Sequence, residues 1–555
     1  VGFGGIGTEI GYYVGVAKYS IGFDFGTESV RTLIVDVSNG HIAAQGAHAY
    51  RHGVIDRELP TSGEKLPPDY ALQHPGDWLE SAGESCKAAM RSGGIVIDDI
   101  VGIGVDFTSC TMLPTRGDGT PLCLIDAFAK TPLAWPKLWK HHGAKDETDR
   151  INQIARERKE PWLNRYGGTI GIEWFFPKIL ETLNHAPEIY EAAEVWVEAG
   201  DWFVWQLVGG AVPTRSTCQA GYKAFWNKQM GFPSQEFFRA LNPKMEWVVT
   251  KKMPGAMQSP GGKAGELTGK CGGLLGLRGG IPVSTAIIDA HAGVPGAGVA
   301  APSTLVMVLG TSSCHMMNSR VEQLVAGVAG VVEDGILPGY FGYETGQSSV
   351  GDAFAWVAKM VGLSHAELNE RAKKLSPGSG GVMALDWLNG CRTPLMDGRL
   401  SGSFIGLTLN TQPEQLYRAM IEATAFGVRW ICDTLTDAGV PVRRFVAAGG
   451  LPAKSPLLMQ IYADVLGEKI QLAPTDQSVA LGAAILGAIA AGESATGHHA
   501  ISQAIHAMAP EREDVVYRPD LVSKKQYAGL YRQYRVMAED GTLLKVMRGL
   551  REIAK

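Results

Sequence analysis

The chain has 555 residues, a net charge of −5, and 45% hydrophobic against 19% charged residues. This is the make-up of an ordinary globular protein with large cores, long enough for about two to four domains. No global basic field exists, so nucleic acid is not expected as a partner.

The longest apolar run, Val479–Ala491, is rich in Ala and Gly. It is too short to span a bilayer, so it reads as a buried helix and no membrane partner is expected. None of the eight cysteines forms a Cys-x-x-Cys pair. Scattered cysteines in a large chain read as reduced thiols of a cytoplasmic protein. The 70 glycines suggest many tight turns and close backbone approaches.

Residues 1–18 are Gly-rich and almost uncharged. They lack the basic and apolar regions of a signal peptide, and a flexible extension outside the fold is expected. Tyr19–Phe25 alternates like a strand, and Val30–Val37 reads as a second. Asp24, Gly26, Thr27 and Ser29 then sit at a hairpin tip. Turn amides and hydroxyls there can cradle a phosphate, and Asp24 can hold a metal ion. A plain surface hairpin fits the same residues.

His74–Ser92 reads as a helix. Ile100–Phe107 is a buried strand ending in the carboxylate Asp106. The following turn, Thr108-Ser109-Cys110-Thr111, could line a ligand site or simply join strands. Thr131–Arg158 is read as helical. His141 and His142 in it would point to different faces, against a metal site. Arg165–Glu181 contains Glu173 and Trp174 and then turns helical. Val195–Leu207 carries Glu198, Asp201, Trp202 and Trp205, which suit either a sugar or a core. Lys223 is a lone cation, either solvated or set to meet a ligand.

The stretch Ile281–Ala301 organises the rest. An apolar run stops at Asp289, and Gly293, Pro295, Gly296 and Gly298 come after it. A carboxylate at the end of a buried strand, ringed by small residues, is where α/β proteins place a catalytic acid or base. The other reading is a helix cap.

Ser303–Leu309 is a strand, Gly310–Ser313 a turn, and Cys314–Met317 another strand. This repeats the first hairpin, strand then Gly-Thr-x-Ser then strand, about half a chain later. Two such hairpins facing each other would grip a nucleoside triphosphate from both sides. Glu344 lies among glycines, and Gly351–Met360 is helical. Arg399–Glu422 runs from a loop or strand into an amphipathic helix. Gly449 and Gly450 separate the strand Phe445–Ala448 from a helix, a junction that lets a flat ligand approach the backbone. Pro456–Leu466 and the tail from Tyr527 are helical.

Together these segments resemble the FGGY family of carbohydrate kinases. The likeness rests on Asp-Phe-Gly-Thr at Asp24–Thr27, Asp-Ala-His-Ala-Gly at Asp289–Gly293, Leu-Gly-Thr-Ser-Ser at Leu309–Ser313, and Ala-Ala-Gly-Gly-Leu-Pro at Ala447–Pro452. The spaced C-terminal signature is present as Gly402, Phe404, Gly406-Leu407, then Gln415-Leu416 and Ala419–Glu422. The N-terminal signature is not intact; Glu173–Glu181 is a degraded version. Longer matches at Gly104–Pro114, Leu138–His142, Ala220–Trp226, Gly330–Trp356 and Ala384–Arg392 point to the members acting on L-ribulose. Cys391 departs from the polar residue expected there, and Lys454-Ser455 stands where Asn is more common.

The resemblance implies two actin/hexokinase-type (ribonuclease H-like) α/β domains, over 19–297 and 298–555, with a catalytic cleft between them. It implies ATP and Mg²⁺. Asp289 would take the proton of a ketopentose C5 hydroxyl as the oxygen attacks the γ-phosphate. Gly26, Thr27, Ser29 and Arg31, with Gly310 and Thr311, would bind the β- and γ-phosphates. Gly351, Gly449, Gly450 and Lys454 would line the adenosine site. Asp24 would act through Mg²⁺, and Ser109, Lys223 and Glu344 would bind the sugar alongside Asp289. The lobes would close to exclude water. A homodimer is compatible with the apolar content. Cys110 and Cys314 beside the loops are read as small buried residues or as oxidation-sensitive thiols. Alternatives are a kinase for D-ribulose, ribitol or xylulose, an actin- or chaperone-like ATPase, and a sugar-sensing regulator. The regulator would need a basic terminal DNA-binding motif.

Overall fold

The computed structural model describes residues 17–512 and 514–553. The expected Gly-rich extension falls almost wholly on residues 1–16, outside the described residues.

Two seven-stranded sheets organise the chain. The first contains β1 (Tyr19–Phe25), β2 (Ser29–Asp36), β3 (Ile42–Ala49), β4 (Ile100–Phe107), β5 (Lys263–Glu266), β6 (Pro282–Ser284) and β7 (Ile287–Ile288). Its order is β3-β2-β1-β4-β6-β5, with β7 also beside β4. The first three strands are antiparallel neighbours, and β1, β4, β6 and β7 run parallel.

The second contains β8 (Thr304–Leu309), β9 (Ser313–Ser319), β10 (Gly330–Glu333), β11 (Phe341–Gln347), β12 (Arg444–Ala448), β13 (Ile470–Leu472) and β14 (Val516–Tyr517). Its order is β10-β11-β9-β8-β12-β13-β14. The strands β11-β9-β8-β12-β13 repeat the 3-2-1-4-5 arrangement of the first sheet, with β8 parallel to β12. The internal repeat read in the sequence is therefore a repeat of topology.

Central parallel strands are covered on both faces, which explains their continuous apolar runs. β4 is buried at every position. Six helices position the site: α1 (Pro75–Gly93), α2 (Phe175–His185), α3 (Thr217–Lys223), α4 (Asp289–Gly296), α5 (Pro413–Asp437) and α6 (Ser478–Ala491). The sequence explains the ends of α1. His74 accepts from the Gly76 amide, Pro75 starts the first turn, and Gly94 stops the helix in a left-handed conformation.

α6 comes from the second half of the chain yet lies on the first sheet. The strands meet it with glycines: Gly22 on β1, and Gly102 and Gly104 on β4. The latter two are one pleat apart and so share a face. A Cβ on Gly104 would stand 2.9 Å from the Gly487 amide nitrogen of α6. Ser20 Oγ donates to the Ala484 carbonyl at 2.7 Å. α6 meets α4 the same way, since a Cβ on Gly296 would lie 2.7 Å from the Gly482 nitrogen. One apolar cluster joins Ile287 and Ile288 to Val306, Val446 and Ile485, tying the two halves together beneath the cleft.

The segment Thr131–Arg158 differs from the expected helix. It forms a short 3₁₀ turn at Pro132–Ala134, an extended stretch, and a helix only over Lys145–Glu157. Pro136 lacks an amide donor and Gly143 favours a break, so the helical pattern is interrupted twice. The extended part pairs with the segment that follows β4, the Lys137 amide donating to Met112 O at 2.9 Å.

Candidate active site

Three adjacent parallel strands of the first sheet have a carboxylate at or just past their carboxyl ends. Asp24 on β1 and Asp106 on β4 are register partners. Asp106 is in turn paired with Ile287 on β7, two residues before Asp289. Carboxyl ends of parallel strands are where crevices form in α/β folds. Here they open into a cleft of about 480 Å³ lined by both halves of the chain.

Asp289 is the first residue of α4, with Ile288 in the N-cap position, so it is not the helix cap that the sequence also allowed. Its Oδ1 accepts from the Ala290 amide at 2.7 Å, and the carboxylate faces the cleft. Burial pushes its pKa up to about 7. Asp24 and Glu344 add to the rise, while the Ala290 amide and Lys223 oppose it. Burial also raises Asp24, with Arg31 opposing at 3.6 Å. Asp106 is fully buried, and neither of its oxygens has a hydrogen-bond partner among the described residues.

On one wall Lys223, the last residue of α3, points its Nζ at both oxygens of Glu344, 2.9 Å from each. Lys223 is 4% exposed, so it is not the solvated cation that the sequence also allowed. Its ammonium also lies 5.3 Å from the Trp174 ring centroid, within cation–π range. Glu344 further pairs with Arg392 and lies 3.4 Å from His291 Nε2. Burial alone would raise the Glu344 carboxyl, but Lys223, His291 and Arg392 hold it far below the usual range. Ser109 sits at the cleft in a turn where Cys110 has a φ of 58°. Both Cys110 and Cys314 line the cleft, and burial raises both thiols.

On the other wall are the hairpins. The Gly26 amide donates to Ser29 O at 3.0 Å, and Thr27 Oγ1 accepts from Trp139 Nε1 at 3.0 Å. The second hairpin closes one residue earlier, with the Gly310 amide donating to Ser312 O at 3.0 Å. Gly351 and Val350 then lock onto it, donating to Gly310 O and Thr311 O at 3.0 and 2.9 Å. Gly449 ends β12 with a φ of 91°, which a side chain would strain.

Asp24, Gly26, Thr27, Arg31, Ser109, Lys223, Asp289, Glu344, Gly449 and Gly450 all line the one cleft. Ser29, Gly310, Thr311, Gly351 and Lys454 are not on its wall. Ser29, Gly310 and Thr311 belong to the hairpin tips themselves, Gly351 packs onto the second tip through Gly310 O, and Lys454 is exposed at the end of the short helix Gly450–Lys454. His141 is no ligand but a buried partner of Glu181, 2.9 Å away.

Sequence reasoning left several wall residues out of the site: Trp139, Glu173, His291, Ser312, Arg392 and the segment Asp476–Val479. One signal was available for Asp106 behind the wall. β1 and β4 both end in Asp-Phe, and their phenylalanines, Phe25 and Phe107, stack 4.7 Å apart.

Comparison with known proteins bears directly on this geometry. Residues 19–296 match the N-terminal domain of the FGGY family of carbohydrate kinases, and residues 305–491 match its C-terminal domain. The chain belongs to the FGGY family of carbohydrate kinases.

Similar FGGY proteins include a ribulokinase of Anoxybacillus flavithermus, 46% identical over 93% of each chain. A ribulokinase of Geobacillus thermodenitrificans is 47% identical over the same shares. Among solved structures, a xylulose kinase from Rhodospirillum rubrum matches with a TM-score of 0.77 at 21% identity, over 96% of this chain and 100% of that one. A glycerol kinase of Plasmodium falciparum with ADP matches with a TM-score of 0.73 at 16% identity, over 93% and 97%. At those identities the structures establish the actin/hexokinase-type FGGY fold. Among the described residues, no single helix is long and apolar enough to cross a membrane.

Proposed function

We propose that the protein transfers the γ-phosphoryl group of ATP to the 5-hydroxyl of L-ribulose, with Asp289 as general base. The observation that carries this reading is the position of Asp289. It is a raised carboxyl on the cleft, between a wall of sugar-suited charges and a wall of paired Gly-Thr hairpins. Similarity to ribulokinases along nearly the whole chain supports the choice of sugar.

Phosphoryl transfer asks for positioning, charge neutralisation and a base for the attacking hydroxyl. The Ala290 amide occupies Oδ1 of Asp289, which leaves Oδ2 to accept the C5 hydroxyl proton. A base with a pKa near the working pH serves best. Lys223 and Glu344 hold each other in place and offer one donor group and one acceptor group to sugar hydroxyls. Ser109 offers a hydroxyl from the opposite turn. Amides and hydroxyls of Gly26, Thr27, Ser29, Gly310 and Thr311, with the Arg31 guanidinium, would meet the β- and γ-phosphates. Gly449 and Gly450 let the adenosine approach the backbone, with Gly351 and Lys454 flanking it.

Mg²⁺ fits the carboxylate pair. Asp24 faces the cleft with Asp106 buried beside it on β4, and the carboxylate oxygens of Asp24 suit a hard cation. Asp24 would hold the ion through its waters, and the bound ion would neutralise charge on the phosphates. All eight cysteines are free, in keeping with a reducing cytoplasm.

The test is ADP release with MgATP against L-ribulose, D-ribulose, D-xylulose, ribitol and glycerol. Turnover strongly favouring L-ribulose supports the reading. Preference for another acceptor moves it to a neighbouring kinase, and sugar-independent release points to an actin-like ATPase.

A further inference from the structure

Lys178 on α2 is completely buried, yet it takes part in none of the ion pairs among the described residues. Its Nζ donates to two backbone carbonyls, Cys110 O at 2.7 Å and Leu138 O at 2.9 Å. Taking an amine this polar out of water is expensive, and an apolar side chain of the same length would fill the space more cheaply. The two carbonyls it joins are what distinguish the position.

Cys110 O belongs to the turn that carries Ser109 into the cleft. That turn holds a non-glycine residue at positive φ, a conformation that surrounding structure must enforce. Leu138 O is followed by Trp139, whose indole N–H donates to Thr27 Oγ1 on the first hairpin. One ammonium therefore links the sugar-side turn to the phosphate-side hairpin through three hydrogen bonds: Cys110 to Lys178, Lys178 to Leu138, and Trp139 to Thr27. One turn further along α2, on the same face, Glu181 holds His141. α2 thus grips the Leu138–His141 segment at both ends.

We infer that Lys178 is a positioning residue that couples the sugar turn to the first phosphate hairpin, so that sugar and nucleotide bind cooperatively. This rests on the kinase reading above. Sugar binding that settles the Ser109 turn fixes Cys110 O. Through Lys178 it also fixes the Trp139 segment and the Thr27 hydroxyl. By reciprocity, nucleotide at the hairpin favours the sugar-ready turn by the same factor.

Calorimetry tests this with L-ribulose and a non-hydrolysable ATP analogue, each titrated alone and in the presence of the other. The wild-type protein should bind each ligand at least about fivefold more tightly when the other is present. Lys178→Met should reduce that ratio to near one. Trp139→Phe removes the indole N–H donor and keeps an aromatic ring at a cleft-exposed position, so it keeps the fold and should lose the ratio too. The double variant should be no worse than either single one, because all three bonds form a single path. A retained ratio in a folded Lys178→Met or Trp139→Phe protein overturns the inference, as does a wild-type protein without cooperativity. A wild-type protein that binds no ketopentose overturns the kinase reading and the inference with it.

Discussion

Lys223 Nζ, at the end of α3, lies 2.9 Å from both carboxylate oxygens of Glu344, a residue 121 positions away on β11 of the second sheet. The pair joins the two halves of the chain at the wall of the cleft. It is buried, so removing one partner strands a charge, which typically costs about 3–5 kcal/mol. Glu344→Gln leaves Lys223 and Arg392 facing a neutral amide. It should lower the unfolding free energy by roughly that amount and raise the KM for the sugar more than that for ATP. Denaturant unfolding and initial rates check both. An unchanged sugar KM would remove Glu344 from the binding wall.

Asp289 must be ionised to accept a proton, and its pKa is pushed up to about 7. The kcat/KM for the sugar should therefore fall as pH drops below about 7, with a limiting slope of one. Glu344 is depressed by its cationic neighbours. A depressed carboxylate contributes stability above its unfolded pKa and loses it only as pH falls through the folded value. The acid limb of activity near neutrality thus belongs to Asp289 and should precede any acid unfolding. A pH–rate profile set against a pH–stability curve tests the order. Coincident transitions would mean that unfolding, not the base, sets the limb.

Gly104 marks where α6 crosses β4. A Cβ there would meet backbone atoms of Ala483 and Gly487, which cannot turn aside as a side chain would. Gly104→Ala should destabilise by about 1–3 kcal/mol, the usual cost of overpacking. A melting temperature equal to the wild type would mean that α6 does not seat on the first sheet as described.

Gly449 stands at a φ of 91°, and a Cβ on it would lie 3.1 Å from the Leu309 amide nitrogen. Gly449→Val should displace the junction between β12 and the helix Gly450–Lys454. The expected result is a raised KM for ATP with little change in that for the sugar. Equal effects on both constants would argue against a nucleotide role for this wall.

The strand ends were legible because chemistry and pattern coincide there. Buried apolar runs stop at Asp24, Asp106 and Asp289, and the two Gly-Thr turns repeat about half a chain apart. Lys223 and Glu344 were recognised singly, through resemblance, but not as a pair, since no spacing rule links a helix of one half to a strand of the other. Lys178 and Trp139 were invisible for the same reason: Lys178 bonds backbone carbonyls, which leave no trace in side-chain pattern. The helix expected over Thr131–Arg158 forms only over Lys145–Glu157, because Pro132, Pro136 and Gly143 outweigh the periodicity before it. The seating of α6 on the first sheet was written in Gly22, Gly102 and Gly104, but only the three-dimensional pairing gives those glycines a partner.

The most direct test of the central claim is ADP release with MgATP and L-ribulose by the wild type and by Asp289→Asn. Loss of a general base typically costs about 10²–10⁴-fold, and the asparagine keeps the shape of the side chain. The account predicts sugar-dependent release by the wild type and a fall in kcat of that size in a folded variant. Undiminished release by Asp289→Asn would contradict it.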